Sequence, residues 1–151
     1  MNRRGFSLIE LLTTMAIIGL LTSIAMPKYQ QFRKRAYAAE IVAAMTTVRA
    51  GIYQYNETAG TWPATAALGT VPTGLGAYLP GGGINLFNGG YHKMGWIALG
   101  IGSTSLQIMY VSIADGTVCT STYGLMGGAG NSSLLGLCGA NGGFVFLWVD
   151  Q

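Results

Sequence analysis

The sequence predicts an α+β protein in which a long N-terminal helix, membrane-spanning and then amphipathic, packs on a four-stranded antiparallel β-sheet. Three observations predict this fold: an apolar run over residues 6–26, a helical stripe of apolar side chains over residues 38–55, and strand-like segments from Trp96 onward. The 151 residues suffice for one domain in addition to one membrane helix. We therefore expect a single compact head behind an apolar helix.

The composition limits where such a chain can function. Half of the residues are hydrophobic, 24 are glycines and only 9% are charged, so the solvent-facing surface must consist largely of Gly, Ser, Thr and Asn. The formal net charge is +3, but without Arg3 and Arg4, six basic side chains stand against five acidic ones. The composition argues against a dilute cytosolic monomer, and the overall charge gives no indication of nucleic-acid binding.

The apolar run at the N-terminus is long enough to cross a membrane. As a helix, residues 6–26 would span roughly 30 Å, the thickness of the hydrocarbon core of a bilayer. A secretory signal peptide would end its apolar core with a small-residue cleavage site, whereas here the small residue, Gly5, precedes the run. We predict a leader peptide over residues 1–5 and a retained transmembrane segment over residues 6–26.

The stretch "MNRRG" followed by "FSLIEL" resembles the N-terminus of type IV prepilins and related pseudopilins, the type IV filament superfamily. The matching pattern is a glycine, an aromatic residue, a serine, two aliphatic residues and a glutamate, and the resemblance covers about the first third of the chain. It implies that prepilin peptidase cuts between Gly5 and Phe6 and methylates the new amino terminus of Phe6. It also implies a structural subunit rather than an enzyme.

Glu10 stands inside the apolar run and needs an explanation. A carboxylate near the middle of a membrane helix costs about 2.5 to 3.5 kcal/mol on insertion scales, so such residues usually face a partner. The resemblance implies that Phe6 and Glu10 serve assembly, with the Phe6 amine of one subunit pairing with Glu10 of a neighbour in a helical homopolymer. The alternative is that Glu10 only occupies the first helical turn, where negative charge favours the helix dipole.

Residues 27–56 predict the amphipathic half of the same helix. Pro27 is expected to bend the helix without ending it, because a helical pattern resumes beyond it. We interpret the basic cluster "KYQQFRKR" as contacts to lipid headgroups; a DNA-contacting patch is the alternative, which four charges without the rest of a basic face do not support. The apolar stripe that should pack on the sheet comprises Ala38, Ile41, Met45, Val48, Ile52 and Tyr55.

The rest of the chain predicts a connecting loop region over residues 57–95 and the sheet over residues 96–151. Proline and glycine punctuate the loop region. Turns are expected near Gly102 and Ser103 and, as a two-residue hairpin, at Asp115 and Gly116. A glycine-rich loop over residues 125–143 should precede the last strand. The four predicted strands are "WIALGI", "SLQIMYVSIA", "TVCTSTYG" and "FVFLWVD".

Residue types that commonly bind metals or act in catalysis are scarce in this sequence. Two cysteines and one histidine are too few for a four-ligand zinc site, so we expect a disulfide between Cys119 and Cys138, which would place the head outside the cytoplasm. His92 has no cysteine or carboxylate near it in sequence, and we interpret it as a bystander. We predict no catalytic residue, no metal site and no cofactor.

The sequence therefore predicts a pilin that is held in the inner membrane by a single helix and then polymerises with copies of itself into an extracellular type IV pilus. The resemblance implies the expected partners: prepilin peptidase, an inner-membrane assembly platform and a cytoplasmic motor. Adhesion, twitching motility and DNA uptake are the candidate uses of the fibre. The alternatives are a major or minor pseudopilin of a type II secretion system and a minor or competence pilin. Few acids in the sheet region argue against a calcium-binding pseudopilin.

Overall fold

The structure, a computed structural model, describes residues 6–101 and 104–149. The predicted α+β class, with one long N-terminal helix and a four-stranded antiparallel sheet, is confirmed. Short 3₁₀ turns lie at Leu75–Tyr78, Pro80–Gly83 and Gly128–Gly130. The main elements in chain order are α1 (Leu8–Ala59), α2 (Ile84–Phe87), β1 (His92–Ile101), β2 (Thr104–Ile113), α3 (Gly116–Leu125), β3 (Leu134–Gly139) and β4 (Gly142–Trp148).

The chain divides into two compact units, Met1–Lys34 and Arg35–Gln151, and α1 contributes to both. The second unit, called the head below, contains the hydrophobic core. The first five residues of the predicted stripe on α1 are buried to 1% exposure or less, and Tyr55 is half-buried. This helical spacing therefore predicted the packing face correctly. The sheet side of the core comprises Met94, Trp96, Met109, Val111, Val145 and Leu147.

The sheet has the strand order β1-β2-β4-β3, and all neighbouring strands are antiparallel. The last strand in sequence, β4, therefore lies between β2 and β3, and α3 is part of the connection that makes this order possible. A two-residue turn at Ala140 and Asn141 joins β3 to β4. Gly142, directly after this turn, has a φ of 112°, which explains why glycine stands there.

The predicted third strand, "TVCTSTYG", was wrong because these residues form helix α3. Asp115 was expected in a hairpin turn, but its Oδ1 accepts hydrogen bonds from the amides of Thr117 at 2.8 Å and Val118 at 3.1 Å, as an N-cap residue does. The β-branched residues of this stretch favoured a strand. Burial of Val118, Cys119 and Thr122 on one helical face overrides that preference.

The actual third strand, β3, lies in what the sequence predicted to be a glycine-rich loop. Leu134 is buried while Leu135 and Leu137 are exposed, which is the alternation expected of a strand with one face on the core. The helix also extends three residues beyond the expected 56, and β1 begins at His92 instead of residue 96. The leader, residues 1–5, and the turn expected at Gly102 and Ser103 lie outside the described residues.

Candidate functional site: the N-terminal segment of α1

The N-terminal segment of α1 exposes nearly all of its apolar surface. From Phe6 to Met26, every large hydrophobic side chain is 51% to 81% exposed. An 18-residue window of this helix has a mean hydropathy of 2.0, and none of it is buried. A core helix of a soluble protein would bury such a stretch against its own domain. This segment must therefore be covered by something outside the chain itself, either lipid or other helices.

Glu10 and Ser7 form the first turn of α1. The amide of Ser7 donates a hydrogen bond to Oε2 of Glu10 at 3.0 Å. The carbonyl of Ser7 accepts from the amides of Glu10 at 3.1 Å and Leu11 at 3.3 Å. The bond from the Ser7 amide to the Glu10 carboxylate is half of a capping box, in which a glutamate three residues into the helix satisfies the amide of the N-cap residue. The spacing Ser-x-x-Glu indicates this motif, whereas Glu10 was explained from the sequence by an assembly role, with the helix dipole as the alternative, and the cap was not predicted.

The polar side chains farther along the segment are also satisfied within the helix. The hydroxyls of Thr13, Thr14, Thr22 and Ser23 donate to backbone carbonyls three or four residues earlier, at 2.7 to 3.0 Å. In lipid, a hydroxyl without such an acceptor would cost several kcal/mol, on the order of an unsatisfied polar group. These four residues are therefore compatible with a membrane environment despite their polarity.

Pro27 lies inside α1 and does not end it. Because proline has no amide hydrogen, the carbonyl of Ser23, four residues earlier, lacks its usual helical donor. A shallow groove around the proline is lined by Gly19, Thr22, Ser23, Met26, Pro27 and Gln30. A bend at Pro27 remains a prediction.

Comparison with known proteins is informative over this part of the chain. The family described as "Prokaryotic N-terminal methylation motif" matches residues 1–26. The chain is 37% identical over 78 residues to a fimbrial protein, EcpC, of Eikenella corrodens, which covers 51% of each chain. It is 34% identical over 61 residues to the type IV major pilin protein PilE1 of Neisseria gonorrhoeae, covering 40% of this chain and 37% of that one.

A third relative, the type IV major fimbrial protein FimA of Dichelobacter nodosus, is 38% identical over 50 residues, which cover 33% of this chain and 32% of that protein. Over its N-terminal part, this chain is similar to type IV pilins and fimbrial proteins. The resemblance drawn from "RRGFSLIEL" is thereby confirmed. The chain spans about half or less of the length of these relatives, and no solved structure matches it.

Of the residues expected to act in processing and assembly of this pilin-type chain, two are described. Phe6 is 81% exposed, and Glu10 is exposed and bonded to the backbone of Ser7. Gly5 lies outside the described residues. Phe6 precedes α1 by two residues, and Glu10 lies in the first turn of that helix. Their roles in processing and assembly are taken up as a proposal below.

The expected disulfide is present in the head. It joins Cys119 on α3 to Cys138 on β3, with Cα atoms 5.7 Å apart and a sequence separation of 19. The pairing is as predicted, although Cys119 lies on a helix and not on a strand. Cys119 is buried completely, and Cys138 packs at the border of the core. The bond therefore ties the α3 region to the edge of the sheet.

His92 has a structural position in the head. It is buried to 6% exposure, and its Nε2 lies 3.0 Å from the carbonyl oxygen of Leu86. Over the described residues, no group of three or more His, Cys, Asp or Glu side chains comes together as metal ligands would. The contact with Leu86 ties the start of β1 to the end of α2, which is sufficient reason for a histidine at this position.

Proposed function

We propose that this chain is a pilin, a structural subunit that polymerises into a type IV pilus, and that it is not an enzyme. The observation that carries the proposal is the N-terminal segment of α1, whose large apolar side chains are exposed, which is long enough for a membrane and which the N-terminal methylation motif family matches up to residue 26. Such a helix has two ways to bury its surface: in lipid before assembly and against copies of itself afterwards.

We propose the sites of processing and assembly as follows. Prepilin peptidase cuts between Gly5 and Phe6 and methylates Phe6. The new amine at Phe6 is a cation four residues before Glu10, just ahead of the first turn of α1. In the monomer, the Ser7 amide bond and the adjacent amine satisfy this carboxylate. In the filament, Glu10 accepts the amine of a neighbouring subunit, which neutralises two charges in an apolar surrounding and fixes the register of addition.

We further propose the location and partners that follow from this role. Before assembly, residues 6–26 hold the chain in the inner membrane with a single pass, and the disulfide-bonded head lies on the oxidising side. After extraction, the chain is part of an extracellular fimbrium. The work of extraction must come from an assembly platform and a cytoplasmic motor. We propose the segments 1–5, 6–26, 27–56, 57–95 and 96–151 as leader, membrane half, amphipathic half, connecting region and sheet region.

A minor pilin, a competence pilin or a pseudopilin would share the same N-terminus. Two of the three named relatives, PilE1 and FimA, are described as major pilin or major fimbrial proteins, and the third, EcpC, as a fimbrial protein. These descriptions favour a major pilin. Abundance distinguishes these candidates, because a major pilin forms most of the filament whereas the others are present in traces or stay in the envelope.

The test is the intact mass and N-terminal residue of the protein in filaments sheared from cells, compared with the membrane fraction. An abundant surface species that begins at methylated Phe6 and lacks the two hydrogens of a reduced cysteine pair supports the pilin. A processed species confined to the envelope would favour the pseudopilin or minor pilin. Retention of residues 1–5 in every fraction would refute the proposal.

A further inference from the structure

The outer face of the sheet, the face turned away from α1 and the core, is apolar. In an antiparallel sheet with one face on the core, the other face normally carries polar side chains. Here the residues opposite one another in the register place Tyr110, Phe146 and Leu135 in one row and Ser112, Phe144 and Leu137 in the next. Leu137 is 58% exposed, Leu135 43% and Phe144 40%. This outer face is thus an exposed apolar surface formed by all four strands.

Three aromatic rings pack side by side on the outer face. Phe146 stacks with Tyr110 on one side and with Phe144 on the other, with ring centroids 6.1 Å apart in both pairs. Tyr110 lies across β1, where a Cβ atom on Gly95 would collide with its ring. Rings that are already ordered lose little conformational entropy when a partner covers them. The outer face is therefore prepared for contact.

The outer face carries almost no charge. Among the described residues of the four strands, Lys93 is the only side chain of the lysine, arginine or carboxylate type; it is exposed on the outer face opposite Ser112, on the edge strand β1. Away from Lys93, the outer face offers no charged side chain that could pair with a charged partner. Two copies of this face would bring few charges of the same sign together, and they can stack about 10 Å apart as the sheets of a β-sandwich do.

The size of the outer face also points to a repeated contact. Four strands spaced by about 4.8 Å, each about seven residues long at 3.3 Å per residue, give a plan area of roughly 450 Å². Stable complexes bury about 800 Å² on each partner, so one pair of faces associates weakly. In a polymer, however, many identical faces act together, and avidity multiplies weak contacts.

We propose that the outer face of the sheet binds the outer face of a second copy of this chain, sheet against sheet, and that this contact joins neighbouring filaments side by side. The filament is the function proposed above, and the face-to-face contact is an addition to it. Between isolated subunits the same contact exists but is weak.

The first experiment compares filaments from the wild-type chain with those of Leu137→Lys and Phe144→Lys. Controls are Leu125→Lys on α3 and Ile84→Lys on α2, whose side chains are 60% and 67% exposed but lie away from the outer face. Low-speed sedimentation collects bundles, and high-speed sedimentation collects all filaments. We expect the face variants to lower the low-speed fraction roughly ten-fold or more at unchanged total filament, because avidity compounds each small loss.

The second experiment does not require filaments. Methyl NMR spectra of the full-length chain in detergent micelles are recorded over a range of protein concentrations. We expect concentration-dependent shifts at Leu135 and Leu137 that disappear in Phe144→Lys and persist in Leu125→Lys. If wild-type filaments are absent, the pilus proposal fails, and this measurement still decides the contact. Shifts that do not depend on concentration, or bundling that survives both face variants, would overturn the face-to-face contact. Equal loss of bundling in the controls would do the same.

Discussion

Glu10 shows how one side chain can have two successive partners. Its carboxylate accepts the amide of Ser7 and so completes the first turn of α1 in the isolated chain. The same carboxylate is exposed, so another group can approach it. The sequence already contained both signals, since the Ser-x-x-Glu spacing indicates the cap and the apolar surroundings indicate the need for a cation. The structure shows the first of these contacts, and the second is our proposal.

Glu10→Gln separates these two roles. Glutamine also serves at this position of a capping box, so the helix start and the removal of residues 1–5 should be unaffected. The amine of Phe6 would lose its ionic partner, and we expect the protein in the sheared filament fraction to fall roughly ten- to hundred-fold. Quantitative mass spectrometry of sheared and membrane fractions measures this, with Ser23→Ala as a control on the same segment. Normal assembly of Glu10→Gln would exclude a charge-based role.

Gln107 is a second residue with an unusual position. It is 3% exposed in the core-facing row of β2, and its Oε1 is buried without a hydrogen-bond donor among the described residues. Burial of an unpaired amide oxygen costs on the order of 1 to 3 kcal/mol. The protein carries this polar group at the expense of stability.

Gln107→Leu should therefore stabilise the head, by about 1 kcal/mol once imperfect packing of the new side chain is included. Thermal unfolding of the full-length chain in detergent, followed by near-UV circular dichroism, should show a higher Tm. Gln54→Leu is the matched control, since Gln54 is exposed on α1 and the same exchange there should change stability by less than about 0.5 kcal/mol. A lower Tm for Gln107→Leu would mean that the amide has a partner after all.

At the scale of elements, periodicity was the reliable signal and local propensity the unreliable one. The apolar steps from Ala38 to Ile52 predicted the buried face of α1, apart from the small residues Ala44 and Gly51 beside it, because burial is what creates the pattern. Residues 117–124 gave no such pattern, and their β-branched side chains suggested a strand where the N-cap of Asp115 and the core select a helix. The glycines in "LLGLCG" concealed β3, because its leucines at positions 134, 135 and 137 do not alternate with polar residues.

The identity of α3 as a helix can be tested through its first residue. Asp115→Ala removes the acceptor of the Thr117 and Val118 amides and should destabilise the head by about 1 kcal/mol. Asp115→Asn keeps an acceptor at this position and should cost less than half as much. Urea unfolding of the three proteins gives the free energies of unfolding. If asparagine and alanine prove equally costly, capping is not what Asp115 contributes.

At the scale of the whole molecule, the two units differ in whether they bury their apolar side chains. The head, Arg35–Gln151, has its own core, whereas the described residues 6–34 of the first unit include no buried side chain. The same residue type is thus buried in one part of α1 and exposed in another. Ile52 is fully buried, and Ile18 is 62% exposed. Stability of the head and assembly of the chain should respond to different residues.

Ile52→Ala and Ile18→Ala form a matched pair for this division. Ile52→Ala leaves a cavity in the core and should lower the free energy of unfolding of the head by about 2 to 5 kcal/mol. Ile18→Ala should leave this value unchanged and reduce the yield of sheared filaments, because packing between exposed helices is lost. Unfolding of the full-length chain in detergent and filament yield measure the two effects. A change of head stability in Ile18→Ala would contradict the division.

The central place of β4 sets the order of events during export. β4 follows the other three strands in sequence but lies between two of them, so β2 and β3 have no common neighbour until it arrives. While the chain emerges from the translocation channel, the head can form only the β1–β2 hairpin and local helices. The sheet can be completed only after residues 142–148 have emerged, and a chain truncated within β4 lacks the strand that joins β2 to β3. An unfinished chain without β4 therefore cannot form the four-stranded sheet of the head.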